Sequence, residues 1–160
     1  LVYCDTELML NKARDIIREL GYNPYIYHSK MNIFDQQKTL QAFERSGGIL
    51  LAIKCLDEGV NISRISHGIV LSSTTNPREF IQRRGRLLRK SPGKEKAVIF
   101  DTFALPNSFE SNMGFILSEV LRARELASTS INKSINTTIL DGIIRKYSVY
   151  EDERFENEDD

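Results

Sequence analysis

Residues 68–89 read Gly68-Ile-Val-Leu-Ser72-Ser-Thr-Thr-Asn76-Pro77-Arg78-Glu79-Phe80-Ile81-Gln82-Arg83-Arg84-Gly85-Arg86-Leu87-Leu88-Arg89. The β-branched and apolar start reads as a strand. Asn76 then stands as an N-cap, with Pro77 in the first turn and Glu79 three residues after the cap, a capping box with its preferred proline. A strand that passes directly into a capped helix is half of a βαβ unit. At 100° per residue Gln82, Arg86 and Arg89 share one face, while Phe80, Ile81, Leu87 and Leu88 project from the other. Such a helix packs into a core and offers guanidinium groups outward. Their planar forks match phosphate oxygens bidentately and do not titrate at cellular pH. Arg84 lies in the apolar arc, so either the helix ends near Gly85 or that side chain snorkels.

Further short apolar runs at 1–4, 24–28, 49–53 and 97–100 alternate with helical patterns, which predicts an α/β fold with a mainly parallel sheet. The first helix is capped by Asp5 or Thr6, repeats Met9, Ala13, Ile16, Ile17 and Leu20, and closes at Gly21. A second runs from about Asn32 to Arg45 and stops at Gly47-Gly48. After Pro106 only helices follow, marked by Met113, Leu117, Val120 and Leu121, then by Ile135, Ile139, Leu140, Ile143, Ile144 and Tyr147, and joined by the polar stretch 128–134. The expected division is 1–106 for the α/β domain, 107–150 for a helical extension and 151–160 for an acidic disordered tail.

Charge is distributed unevenly. The formal net charge is zero, yet residues 151–160 hold seven acids and one arginine, a net of −6, and leave residues 1–150 at +6. Residues 78–96 hold eight Lys/Arg against Glu79 and Glu95, again +6. This focusing favours an anionic partner, nucleic acid or nucleotide, over a membrane. A 41% hydrophobic content over 160 residues supports one substantial core. With two cysteines in apolar segments, no leader and no apolar run of bilayer length, the chain reads as intracellular and cytoplasmic. Leu1 is not an initiator methionine, and Leu1-Val-Tyr-Cys4 reads at once as a buried strand, so a fragment of a longer protein is expected.

In a parallel sheet, ligands gather where strands end and helices begin. His28-Ser29, the stretch from Lys54 to Ile62, and Ser72 to Asn76 all fall at such ends and belong on one edge of the sheet. Their hydroxyls and amides suit a nucleic-acid backbone, which nominates Ser29, Ser72, Ser73 and Thr74. His28 reads as structural. Two histidines with no second Cys/His nearby give no metal site, adjacent Asp57 and Glu58 diverge too far to act as a carboxylate pair, and no nucleophile elbow is present.

At this point the chain resembles the C-terminal RecA-like domain of superfamily 2 helicases and translocases. Gln82 to Arg89 is similar to motif VI, Gln/His-Arg-x-Gly-Arg-x-x-Arg; Leu56-Asp-Glu-Gly-Val-Asn-Ile62 is similar to motif V; and Val2-Tyr-Cys with its helix resembles motif IV. The flavour is that of the DNA-directed repair and restriction branch, over residues 1 to 105. The resemblance implies that Arg86 and Arg89 act as arginine fingers, that Gln82 lies near the γ-phosphate and attacking water, and that Arg83 belongs to the domain interface. It implies nucleotide contact at Gly59 and at Asn61, where many relatives carry aspartate. It implies ATP and Mg²⁺ as cofactors, both held mainly by an N-terminal RecA-like domain of the same parent chain, and DNA as partner with RNA left open. The 160 residues contain no Gly-x-x-x-x-Gly-Lys-Ser/Thr loop and no Asp-Glu-x-His/Asp box, so half of an ATPase is expected, inactive in isolation. The rival reading is a catalytically silent RecA-like nucleic-acid-binding or regulatory module.

Overall fold

A computed structural model describes residues 1–53, 65–71, 92–102 and 113–157. The arginine helix predicted from Asn76 lies outside them. The chain divides into two units, Leu1–Thr102 and Phe103–Asp160.

The first unit runs β1 (Val2–Cys4), α1 (Glu7–Glu19), β2 (Tyr25–Tyr27), α2 (Ile33–Ser46), β3 (Leu50–Ile53), β4 (His67–Val70) and β5 (Val98–Asp101). Each strand falls on a run expected from the sequence. The five pair in the order β2-β3-β1-β4-β5, every pairing parallel. Apolar side chains occupy both faces of the central strands β1 and β3 because both of those faces are covered. Leu1, Tyr3, Tyr27, Leu50, Ala52 and Val70 pack on one side with Phe43 of α2. Val2, Cys4 and Leu51 pack on the other with Leu10 of α1. The two helices therefore sandwich the sheet. Tyr25 and Phe43 add an edge-to-face ring contact with centroids 6.0 Å apart. Burial pushes the Cys4 thiol up to about 11, which leaves it protonated and inert at neutral pH.

Helix boundaries follow local chemistry. Thr6, rather than Asp5, caps α1: its Oγ1 accepts from the Met9 amide at 3.2 Å. At the other end Gly21 adopts φ 85°, and the Tyr22 amide returns to the Ile17 carbonyl at 3.0 Å. The inward stripe is narrower than the sequence implies. Met9, Leu10, Ala13 and Ile17 face the sheet, whereas Ile16 and Leu20 are exposed because they turn off that stripe. In α2, Asn32 Oδ1 accepts from the Asp35 amide at 2.8 Å, and the helix stops at Gly47, whose φ of 68° and ψ of −156° suit glycine alone.

The second unit pairs α3 (Met113–Ser128) with α4 (Lys133–Asn157). Ile116, Val120, Ala123, Ala127 and Leu140 form its core, with Ile143 and Ile144 packed beside them. Leu117, Leu121, Ile135 and Ile139, expected to mark the inward faces, are exposed. Alanines 123 and 127 carry the contact instead, small residues that let two helix backbones approach. An ion pair between Arg124 and Asp141 links the helices, and buried Glu119 pairs with Arg122 at 3.3 Å. Helix continues to Asn157, into the stretch 151–160 where disorder was expected. Glutamate and arginine are good helix formers, and here local propensity extends the segment despite its charge.

Candidate nucleic-acid interface

Because all five strands are parallel, their carboxyl ends share one edge of the sheet. Register fixes the alignment: Cys4 sits opposite Ile53, Tyr27 opposite Ala52, Tyr3 opposite Val70, and Val70 opposite Asp101. Cys4, Tyr27, Ile53, Val70 and Asp101 therefore end their strands on the same side of the sheet.

Among the nominated residues, Ser29 is described, and it is exposed in the turn after β2. That turn is closed by the Met31 amide donating to the His28 carbonyl at 3.1 Å. Gln36 Nε2 donates to the carbonyls of His28 and Met31, each at 3.2 Å, and so pins the turn to α2. Lys30 reaches the other helix, its Nζ 2.8 Å from Glu7 Oε2. The hydrogen bond and charge of Lys30 hold the Glu7 carboxyl below its ordinary value, and Glu7 in turn raises Lys30. Ser29 is thus presented on a braced loop. At the far side of the edge Thr102 caps β4, its Oγ1 donating to the Val70 carbonyl at 2.7 Å.

Gln82, Arg83, Arg86, Arg89, Gly59, Asn61, Ser72, Ser73 and Thr74 lie outside the described residues. The His28 carbonyl accepts the Met31 amide and Gln36 Nε2 bonds described above, and its Nδ1 is buried with no hydrogen-bond partner among the described residues. Sequence reading missed Gln36 and Lys30. The signal for Gln36 was available, a long amide one turn inside the Asn32 cap and facing back over it. The Lys30–Glu7 pair carried none, since 23 residues separate its members. Among the described residues no three His, Cys, Asp or Glu side chains could together hold a metal ion, and no helix is long and apolar enough to cross a membrane.

Comparison with known proteins adds the following. Residues 1–91 match the family model described as "Helicase conserved C-terminal domain". The chain is 28% identical over 127 residues to the pre-mRNA-processing ATP-dependent RNA helicase PRP5 of Vanderwaltozyma polyspora, a match covering 79% of this chain and 13% of that protein. Among solved structures, the C-terminal domain of the DEAD-box protein Dbp5 superposes with TM-score 0.60 at 14% identity, covering 81% of this chain and 70% of that one. The C-terminal part of the Fun30 ATPase domain gives 0.59 at 17%, covering 91% and 47%. At these identities the structural likeness establishes the RecA-like fold.

Proposed function

The chain belongs to the helicase conserved C-terminal domain family, and from that premise we propose that it is the C-terminal motor half of an ATP-dependent nucleic-acid helicase or translocase. ATP would close two RecA-like domains on each other, and hydrolysis would release them, moving the pair along a strand. In this reading Arg86 and Arg89 stabilise charge developing on the transferred phosphate, Gln82 orients the water, Gly59 and Asn61 contact the nucleotide, and Arg83 couples the domains. Ser29, Ser72, Ser73 and Thr74 hold the strand by its phosphates. ATP and Mg²⁺ are gripped mainly by the partner N-terminal domain. One observation supports the proposal: β2, β3, β1 and β4 pair in parallel, so their carboxyl ends, with Ser29 just beyond β2, share one edge of the sheet.

The polymer is a separate question. Motif flavour supports DNA, while the name of the 28% identical relative supports RNA. Hydroxyl contacts to phosphates do not distinguish the two unless a 2′-hydroxyl is engaged. Titrating the chain with single-stranded DNA and RNA 20-mers of matched sequence at several salt concentrations tests both points. The expected binding is weak, insensitive to sequence and steeply weaker with salt. Salt-independent affinity would overturn the proposal, and the tighter of the two polymers identifies the substrate.

A further inference from the structure

Resting on that reading of the carboxyl edge, we infer that Phe34, in the first turn of α2, is a stacking platform for an unpaired base of the bound strand. Ile33 and Phe34 are each 73% exposed. The inward side of α2 is carried by Leu40 and Phe43, with Gln36 one turn earlier bonded to the loop. Phe34 falls outside that stripe and is not part of the core cluster formed by the described residues.

Its position is informative. Gln36 ties the 28–31 turn to α2, so the turn presenting Ser29 and the first turn presenting Phe34 are held together. A strand held by its phosphates at Ser29 would lie beside this helix start, within the reach of an unpaired base. The neighbouring carboxylates are engaged: Glu7 with Lys30 at 2.8 Å, and Asp35 with Asn32 Nδ2 at 2.6 Å. In the sequence, residues 78–96 carry a net +6, charge complementary to an anionic strand. Every base has a π-face, so an exposed aromatic ring binds a strand without reading its sequence, as a motor requires.

The chain contains no tryptophan, so Phe34→Trp creates a single reporter. Phe34→Leu keeps apolar volume but removes the π-face, and Phe34→Ala removes both. Binding of dT and U 12-mers is measured by anisotropy, with folding of each variant checked by circular dichroism. The expected result is that Phe34→Leu and Phe34→Ala weaken binding by about 5-fold or more. Phe34→Trp should bind at least as tightly as the parent chain, with its fluorescence quenched on saturation. If the parent chain binds, Phe34→Leu and Phe34→Ala bind equally well and the tryptophan is not quenched, the stacking inference is overturned while the proposed function stands. If Phe34→Leu binds like the parent and Phe34→Ala does not, the patch is an apolar docking surface and the stacking inference is again wrong. No strand binding by the parent chain at all would overturn both.

Discussion

Lys30 Nζ lies 2.8 Å from Glu7 Oε2, tying the loop after β2 to the first turn of α1, two elements that sit on the same edge only because the sheet is parallel. Both side chains are well exposed, so the pair contributes little to global stability. Its effect is local, on the loop that presents Ser29. Glu7→Gln is therefore expected to speed hydrogen exchange of the Met31 amide, which closes that loop, while the unfolding midpoint hardly moves. The sign with pH follows from the two shifts. Glu7 is lowered, so its contribution is present above the ordinary carboxylate value and is lost as pH falls through the lowered one. Lys30 is raised, so its contribution is present below the ordinary amine value and is lost as pH rises through the raised one. The brace is thus fully formed around neutrality. Met31 exchange equal in the two proteins at pH 7 and low salt would show that Gln36 alone holds the loop.

Leu51 is the centre of the sheet on the α1 side, fully buried in β3 between β1 and β2. Truncation there leaves a cavity that five strands and a helix cannot easily close. Leu51→Ala is expected to destabilise the chain by about 2–5 kcal/mol in urea unfolding. A loss well below 1 kcal/mol would mean that the two faces of the sheet are packed more loosely than described.

Gly47 ends α2 in backbone space that L-residues rarely enter. Open space surrounds the site of an added Cβ, so the cost of Gly47→Ala is conformational and not steric. It is expected at about 1–3 kcal/mol, again from denaturant midpoints. Gly142, inside α4 with open space around it, is the contrast: Gly142→Ala should stabilise by about 0.5–1 kcal/mol.

For the proposed chemistry, the chain alone is expected to hydrolyse no ATP above background, because phosphoryl transfer depends on groups that hold the triphosphate and this sequence has no phosphate loop. In the two-domain parent, Arg86→Lys or Arg89→Lys keeps a charge but loses the planar fork, and turnover should fall by about 10³-fold or more while strand binding survives. Asn61→Asp should be mild by comparison. Robust turnover by the isolated chain that persists in Arg86→Ala would place the active site elsewhere.

Among the described residues, the sequence by itself determined the elements and their order. Apolar runs marked all five strands to within a residue or two, and Thr6, Gly21, Asn32 and Gly47 marked helix ends, because strand burial, capping and positive φ are set by residues close along the chain. The motif spacing likewise led to the helicase family. Tertiary structure alone decided what depends on partners distant in sequence. Ile16, Leu117, Leu121, Ile135 and Ile139 had the periodicity of core residues and are exposed. Helical spacing says which residues share a face, but not how wide a stripe the neighbouring element covers. The strand order β2-β3-β1-β4-β5 and the Lys30–Glu7 bridge were equally invisible, since pairing across tens of residues leaves no local pattern. That β2, β3 and β4 end on one edge was legible in the alternation of strands and helices; the pairing decided which of them are neighbours there, because the hydrogen-bonded partners lie tens of residues apart.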